Sequence, residues 1–330
     1  MTNVQAVNWN TPENIWNVLW HQNITQMWTD TEFKVSRDLK SWEKLSTDEQ
    51  LTYKRILAGL TSLDTLQGDV AMPLLLLDST DLKKKAVYSF MAMMEHMHAK
   101  SYSTIFTTLI STKETDYLLD EWVKSSKHFV EKYSITEMKY QQVKTGLIRD
   151  RYMARVASVL LETFQFYSGF YYPLLLRGQG SMIASGEIIR RILIDESIHG
   201  VAVGLDAQDI YAELSAEDKS SCKEEVYRLL EQIMSAEEQY THLLYDNIGL
   251  TDDVLRFIRY NANKALMNLG FDPYYTDTSF NPIVENALDT KTGNHDFFSA
   301  KGDGYELPKV IEPLEDEDFD VKSKMIDDGI

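Results

Sequence analysis

The chain has 330 residues and is 44% hydrophobic, so it can bury a large core and is not disordered as a whole. Its net charge of -18, from 33 basic and 51 acidic residues, opposes binding to nucleic acid or to an anionic membrane. The single cysteine, Cys222, excludes an intrachain disulfide and a four-thiolate zinc site within this chain. We therefore expect a cytoplasmic protein with no nucleic acid and no membrane among its partners.

Helical periodicity dominates the chain from about residue 47 to residue 270, and no segment alternates as a strand would. The body is therefore predicted to be all-α. The first start signal is the capping box Ser46-Thr47-Asp48-Glu49, which precedes an apolar helical stripe. Further helices are predicted over roughly 81–111, 150–175, 184–213, 216–247 and 251–269.

The chain changes character after Gly270. The dipeptides Asp272-Pro273 and Asn281-Pro282 are expected to break any helical pattern there. Residues 312–330 hold eight acidic and two basic side chains, a composition typical of a flexible tail. We predict a helical domain over residues 1–285 and an irregular C-terminal segment with an acidic tail over residues 286–330.

Two predicted helices carry ionisable residues on their apolar faces. Glu95, His98 and Tyr102 lie at spacings of three and four on the stripe of the helix predicted at 81–111. Glu196 and His199 repeat the Glu-x-x-His pattern on the helix predicted at 184–213. One such motif alone is more typical of a surface pair, whereas two on separate apolar faces indicate a shared site.

Two more carboxylates interrupt apolar surroundings. Asp64 lies one turn after Leu60 on the first predicted stripe, and Glu162 lies inside the apolar run 156–176. Each could be a solvated position on its helix. If all four carboxylates face inward, however, their burial costs several kcal/mol each unless a counter-charge is present, and no lysine or arginine lies on those stripes. Two divalent metal ions would cancel the four negative charges.

An oxygen-rich ligand set with one imidazole per metal suits iron or manganese better than structural zinc. One carboxylate from each of two helices, with a Glu-x-x-His from each of two others, is typical of ferritin-like bundles. The sequence therefore predicts an all-α, ferritin-like helical bundle with a dinuclear metal site. The predicted ligands are Asp64, Glu95, His98, Glu162, Glu196 and His199.

The chain resembles the small, radical-generating subunit of class Ib ribonucleotide reductase over about residues 8 to 320. The local strings that carry this resemblance are Leu63-Asp64-Thr65, Met94-Glu95-His96-Met97-His98-Ala99-Lys100-Ser101-Tyr102, Leu161-Glu162-Thr163-Phe164, Asp195-Glu196-Ser197-Ile198-His199-Gly200, Tyr260-Asn261-Ala262-Asn263-Lys264 and Asn294-His295-Asp296-Phe297-Phe298. His96, although it lies between two of the expected ligands, points about 100° away on an ideal helix and is not counted among them.

The resemblance implies a role for each of these residues. Asp64, Glu95 and His98 would hold one metal ion, and Glu162, Glu196 and His199 the other, giving two iron or two manganese ions per chain. The oxidised dimetal centre would generate a tyrosyl radical that Tyr102 stores. Trp28 and Asp195 would transfer the radical, and Tyr305 in the tail would carry it onward.

The resemblance also implies partners. Reduction of ribonucleotides to deoxyribonucleotides requires a dithiol in this family, which Cys222 alone cannot supply, so a separate large catalytic subunit is expected. The C-terminal tail would dock on that subunit through Phe319, and the small subunit itself would be a homodimer. A small flavodoxin-like activator protein would be needed if manganese is used.

Two alternatives remain open on sequence alone. A stand-alone ferritin-like dimetal oxidase or ferroxidase would need the same ligands but neither the Tyr102 radical nor a docking tail. A structural bundle would need no metal at all. Metal analysis and electron paramagnetic resonance distinguish the three.

Overall fold

The computed structural model describes residues 4–11 and 14–288, and all regular structure in these ranges is helical. The all-α prediction is therefore confirmed. The helices of twelve or more residues are α1 (Ile15–Gln26), α2 (Thr47–Leu66), α3 (Leu82–Leu109), α4 (Lys127–Gln142), α5 (Ile148–Leu160), α6 (Tyr167–Gly178), α7 (Ile183–Glu213), α8 (Ala216–Tyr245) and α9 (Thr251–Asn268). Shorter α-helical segments are Leu39–Trp42, Met72–Asp78, Thr112–Asp116, Val123–Ser125 and Pro282–Leu288. The predicted tail positions Tyr305 and Phe319 lie outside the described residues.

The capping box predicted at the start of α2 is present. The Ser46 hydroxyl accepts a hydrogen bond from the Glu49 backbone N–H at 3.3 Å, and the Glu49 carboxylate accepts one from the Ser46 N–H at 2.8 Å. Two backbone donors at the helix end are satisfied in this way. The helices α3, α7, α8 and α9 begin and end within two residues of their predicted bounds, because their apolar stripes are continuous.

Several elements differ from the sequence prediction. The helices α1 and α4 were not predicted. Pro282 begins a short helix instead of breaking one, because a proline in the first turn gives up no intrahelical hydrogen bond. The Asn281 side chain also accepts a hydrogen bond from the Ile283 backbone N–H at 2.9 Å, which caps this helix.

The helix predicted at 150–175 is interrupted by a π-helical turn. The turn spans Leu161–Gln165 between α5 and α6, and the Phe166 N–H donates to the Leu161 carbonyl five residues earlier, at 3.3 Å. A second π-helical turn, Gln67–Ala71, follows α2 directly. Such turns make the backbone bulge and often occur at functional sites. Gln67–Ala71 follows the end of the helix that carries Asp64, and Leu161–Gln165 carries Glu162. A third such turn in the described residues, Tyr117–Trp122, carries none of the predicted ligands.

The centre of the bundle is surrounded by α2, α3, α7 and the Leu161–Gln165 turn. Helix α2 packs against α3, and α7 packs against α3, α5, α6 and the Leu161–Gln165 turn. Helix α1 covers one side of α3, and α4 and α8 pack together on the far side of α5. Among the described residues, no helix combines the length and the apolarity that a membrane span requires.

Candidate metal centre

The structure brings the six predicted ligands together in the middle of the bundle. Asp64 lies in the last turn of α2, Glu162 in the π-helical turn, and the two Glu-x-x-His pairs in the middle of α3 and α7. Each of the six side chains is at most 1% exposed. Four separate elements thus contribute ionisable side chains to one buried region.

The six side chains form two overlapping groups in which the candidate ligand atoms lie within 4.8 Å of one another. The first group is Asp64, Glu95, His98 and Glu196, and the second is Glu95, Glu162, Glu196 and His199. The sequence analysis gave Glu95 and Glu196 to one metal each. The geometry instead places both carboxylates in both groups.

Each imidazole faces the carboxylates with its Nδ1 atom. His98 Nδ1 lies 3.7 Å from Glu95 Oε2 and 3.0 Å from Glu196 Oε1. His199 Nδ1 lies 2.9 Å from Glu95 Oε1 and 2.8 Å from Glu196 Oε2. Glu95 and Glu196 therefore each direct one oxygen toward each histidine, so both carboxylates would be available to either of two metal ions.

Asp64 and Glu162 lie at opposite ends of this arrangement. Asp64 Oδ1 is 3.2 Å from His98 Nδ1, and Glu162 Oε2 is 3.8 Å from His199 Nδ1. Each of these two carboxylates belongs to one group only. The centre is thus nearly symmetrical, with one terminal carboxylate and one imidazole in each half.

Many polar atoms of this centre have no hydrogen-bond partner among the described residues, although buried polar atoms are nearly always paired. They are both carboxylate oxygens of Asp64 and of Glu95, Glu162 Oε2, Glu196 Oε1 and His98 Nδ1. No lysine or arginine of the described chain forms an ion pair with these carboxylates. Close oxygen and nitrogen donors without hydrogen bonds are what a bound cation needs, so the residues fit a metal pair.

The pKa values show the same excess of negative charge. Burial raises the pKa of Asp64 and of Glu162 well above the usual range, and their carboxylate neighbours add to the effect. Although burial alone would disfavour imidazolium, Glu196 and other carboxylates raise the pKa of His98 and of His199. Against the effect of burial, the two histidines in turn hold the pKa of Glu196 below its ordinary value. In the metal-free protein, protons bound to the carboxylates and imidazoles therefore compensate part of the negative charge of the centre.

Trp28 and Asp195 form a hydrogen-bonded line to the centre. The Trp28 indole N–H donates to Asp195 Oδ2 at 2.7 Å, and the same oxygen lies 3.0 Å from His98 Nε2. The Trp28 and His98 rings are stacked, with their centroids 5.9 Å apart. Gln26, which the sequence analysis did not select, donates to Asp195 Oδ1 at 2.9 Å and fixes the carboxylate.

Tyr102 lies one turn after His98 on α3 and is completely buried. Its hydroxyl has no hydrogen-bond partner among the described residues. Burial, together with the charges of Asp64, Glu196 and Glu95, raises the pKa of Tyr102 well above the ordinary value of a phenol. The phenol therefore keeps its proton at neutral pH.

The structure also shows contacts that the sequence analysis missed. Gln67, the first residue of the turn after α2, donates its side-chain N–H groups to Glu162 Oε1 and to the Ser158 hydroxyl. A buried amide three residues after a predicted ligand was the only local signal for this contact. His96, whose side chain is 54% exposed, lies outside both groups and is 3.5 Å from Asp69.

Comparison with known proteins adds independent information. The family model described as ribonucleotide reductase, small chain, matches residues 6–282. The chain is 49% identical over 316 residues to the ribonucleoside-diphosphate reductase subunit beta of Bacillus subtilis (strain 168), a match that covers 95% of each chain. It is 35% identical over 323 residues to the ribonucleoside-diphosphate reductase 2 subunit beta of Escherichia coli (strain K12), covering 97% of this chain and 99% of that protein.

Solved structures give the same result. The dimanganese(II)-NrdF of Streptococcus sanguinis is similar with a TM-score of 0.82 and 39% sequence identity, covering 87% of this chain and 100% of that one. A putative class I ribonucleotide reductase from Bacillus halodurans shares the fold, with a TM-score of 0.77 at 24% identity, and covers 83% of this chain and 99% of that one. The family match therefore includes every helix that contributes to the centre.

Proposed function

This chain belongs to the ribonucleotide reductase small-chain family, and from that premise we propose that it is the radical-generating subunit of a ribonucleoside-diphosphate reductase. The observation that carries the proposal is the buried set of four carboxylates and two imidazoles with unpaired donor atoms. A stand-alone oxidase or ferroxidase would need the same set. It would have no use for the line of Trp28, Asp195 and His98 that leads away from the centre.

The two overlapping groups are the proposed metal sites. Glu95 and Glu196 would be shared, since each directs one oxygen toward each histidine, and Asp64 and Glu162 would each serve one ion. When bound, the metals supply oxidising power that no side chain has. The oxygen-rich donor set suits iron and manganese, and the similar Streptococcus sanguinis protein is a dimanganese(II) form, so we propose two iron or two manganese ions per chain.

Tyr102 is the proposed store of the radical. An ordinary phenol is already protonated at neutral pH and burial disfavours its ionisation further, so Tyr102 would lose its proton only together with an electron. Complete burial in α3 then keeps water and reductants away from the ring. A long-lived radical requires this exclusion, which an exposed tyrosine would not provide.

Asp195 organises the proposed exit path. A carboxylate oxygen can only accept hydrogen bonds, so His98 holds its proton on Nε2 and leaves Nδ1 to face the centre. The Trp28 N–H donates to the same oxygen, and Gln26 prevents the carboxylate from rotating. We propose that Trp28 and Asp195 move an electron and a proton together between the centre and the protein surface.

The partners follow from the same proposal. A large catalytic subunit would carry out nucleotide reduction, a second copy of this chain would complete a homodimer, and a flavodoxin-like activator would serve a manganese form. Tyr305 and Phe319 would transfer the radical and anchor the acidic tail. We also place the protein in the cytoplasm, because its only cysteine is Cys222.

Truncation after Val310 tests the role of the tail. The truncated protein should keep its metal ions and the Tyr102 radical, because every proposed ligand lies before that residue. It should lose nucleotide reduction with the large subunit, and a peptide of residues 311–330 should inhibit the full-length protein. Full turnover by the truncated protein would place docking on the helical body instead.

The central experiment combines metal analysis and electron paramagnetic resonance on one preparation of the full chain. Two metal ions with a tyrosyl radical support the reductase subunit, two ions without a radical indicate an oxidase, and no metal indicates a structural bundle. Tyr102→Phe should keep both ions but lose the radical and all turnover, because only one buried hydroxyl is removed. The matched control is Tyr167→Phe, another buried tyrosine near Glu196 and Glu162, which should keep the radical.

A further inference from the structure

Gln67 is a buried residue close to the metal centre that no step of the proposed function uses. It is the first residue of the π-helical turn Gln67–Ala71, three residues after Asp64, and it is completely buried. Its side chain crosses from the end of α2 to the π-helical turn Leu161–Gln165, which carries Glu162. One side chain thus connects the two irregular turns beside the centre.

The side-chain amide of Gln67 forms three hydrogen bonds, two through its nitrogen and one through its oxygen. The nitrogen donates to Glu162 Oε1 and, at 3.1 Å, to the Ser158 hydroxyl, while the oxygen accepts from the Tyr140 hydroxyl at 2.5 Å. A carboxylate that binds a metal ion is ionised and cannot donate, so in the metal-bound protein only the amide nitrogen of Gln67 can face Glu162. The opposite orientation would place the amide oxygen against a carboxylate oxygen, whereas in the observed one the Tyr140 hydroxyl donates to the amide oxygen.

The two oxygens of Glu162 have different surroundings as a result. Oε1 is held by Gln67, whereas Oε2 has no hydrogen-bond partner among the described residues and is the oxygen near His199. We propose that Gln67 is a positioning residue that holds Oε1 of Glu162 and thereby leaves Oε2 as the single oxygen for the metal. This inference rests on the proposed metal site and adds to it a residue that sets how Glu162 binds.

The variant Gln67→Met tests the inference, because methionine is unbranched and of similar length but cannot donate a hydrogen bond. Loss of a partner that orients a metal ligand typically weakens metal binding by about 10- to 100-fold. We expect that loss at one of the two sites only, since Glu162 belongs to one group only. With Oε1 released, Glu162 should also bind through both oxygens, which raises the coordination number.

Gln165→Met is the matched control. Gln165 is equally buried and lies in the same π-helical turn as Glu162, but its amide donates to the Thr136 hydroxyl at 2.8 Å and not to a carboxylate. A role limited to packing or to stabilising the turn would affect both variants alike. Tyr140→Phe removes only the outer hydrogen bond of Gln67 and should have a smaller effect than Gln67→Met.

The measurement is a titration of the metal-free full-length protein with Co(II), followed by visible absorption. The wild type and Gln165→Met should bind two ions per chain with the same affinities and spectrum. Gln67→Met should bind one ion about 10- to 100-fold more weakly, with weaker visible absorption because the coordination number of Co(II) has risen. If circular dichroism shows that Gln67→Met has lost its helices, Gln67→Asn, whose amide is too short to reach Glu162, serves instead.

Two results would overturn the inference while leaving the metal site intact. One is a Gln67 variant that binds both Co(II) ions with wild-type affinity and spectrum. The other is an equal loss in Gln165→Met, which would show a general loosening of the turn. A wild-type chain that binds no metal would overturn both the metal site and the role of Gln67.

Discussion

Two clusters of buried charge lie in the same helical bundle, and they are compensated in different ways. The metal centre contains four carboxylates and two histidines with many unpaired atoms. The second cluster, here called the arginine cluster, contains Asp78, Lys84, Tyr88, Arg155 and Asp206. Arg155 lies between the two aspartates, 2.6 Å from Asp206 and 2.7 Å from Asp78. Arginine and lysine therefore balance the aspartates of the arginine cluster, whereas no arginine or lysine of the described chain pairs with the carboxylates of the metal centre.

Two buried aspartates, one in each cluster, have pKa values that shift in opposite directions. Burial raises the pKa of Asp64 in the metal centre well above its usual range. Asp206 in the arginine cluster is also buried, but the positive charges of Arg155 and Lys84 outweigh burial and lower its pKa. Lys84 and Tyr88 both bind Asp206 directly. A buried carboxylate thus indicates a ligand from outside the protein only when the protein itself supplies no counter-charge.

The strongest test of this comparison removes a ligand from the metal centre. Glu162→Ala and His199→Ala should each weaken metal binding by orders of magnitude, because a site that loses a ligand has neither its charge balance nor its geometry. Both variants should keep a folded helical structure, since Glu162→Ala removes one buried carboxylate, and in His199→Ala the neighbouring carboxylates can take up protons in place of the lost imidazolium. Metal analysis and circular dichroism measure the two effects.

His96→Ala is the control for these ligand variants. His96 lies on α3 between Glu95 and His98, but its exposed side chain is outside both groups. Metal content should therefore match that of the wild type. If Glu162→Ala or His199→Ala keeps two ions per chain, the ligand assignment is wrong, and metal loss in His96→Ala would mean that the site is larger than the six residues.

The second test removes the cation from the arginine cluster. Arg155→Met should lower the free energy of unfolding by about 3–5 kcal/mol, because it removes the cation that the buried Asp206 shares with the largely buried Asp78. Urea denaturation measures this change. Arg151→Met is the control, since the Arg151 side chain is 29% exposed compared with 1% for Arg155, and partly exposed ion pairs contribute about 0–1 kcal/mol.

Metal binding distinguishes Arg155→Met from the two ligand variants, Glu162→Ala and His199→Ala. Arg155→Met should bind two metal ions with wild-type affinity wherever it is folded, because none of the contacts of Arg155 reaches the metal ligands. Loss of metal together with stability would show that the two clusters are energetically coupled. The ligand variants and the arginine variant would then no longer report on separate sites.

The sequence predicted the metal centre better than its surroundings, for a physical reason. Glu95 with His98, and Glu196 with His199, are local pairs whose face on the helix follows from the 3.6-residue period. The contact of Gln67 with Glu162 joins residues 95 positions apart and depends on a π-helical turn that no local pattern signals. Trp28 and Asp195 are 167 positions apart, and only the family resemblance brought them together.

Helix prediction failed where the apolar stripe is weak or where a residue can either begin or break a helix. Helix α4 is polar along most of its length, with Phe129, Lys132, Thr136 and Tyr140 as its buried residues, so periodicity gave little signal. Pro282 is a helix breaker in the interior of a helix and a helix starter in its first turn. The dipeptide Asn281-Pro282 fits both a turn and a helix start with asparagine as the cap, and the structure shows the second.

The smallest effect we expect concerns pH, where the two clusters should respond with opposite signs. The folded pKa of Asp206 lies below the unfolded value of about 3.9, so its contribution to stability is complete above that pH and is lost as the pH falls through the folded pKa. The folded pKa of Asp64 lies above the unfolded value. In the metal-free protein, its contribution is therefore present at low pH and is lost as the pH rises through the folded pKa.

Urea denaturation of the metal-free protein at a series of pH values measures both contributions. Asp206→Asn should flatten the loss of stability below about pH 4, and Asp64→Asn should flatten the loss that occurs as the pH rises above that value. Saturating metal should abolish the second effect and leave the first, because the metal replaces the proton on Asp64 and does not reach Asp206. If Asp206→Asn and Asp64→Asn changed the free energy of unfolding over the same pH range, the two aspartates would have the same kind of charge compensation. The absence of a protein cation beside Asp64 would then no longer indicate a metal.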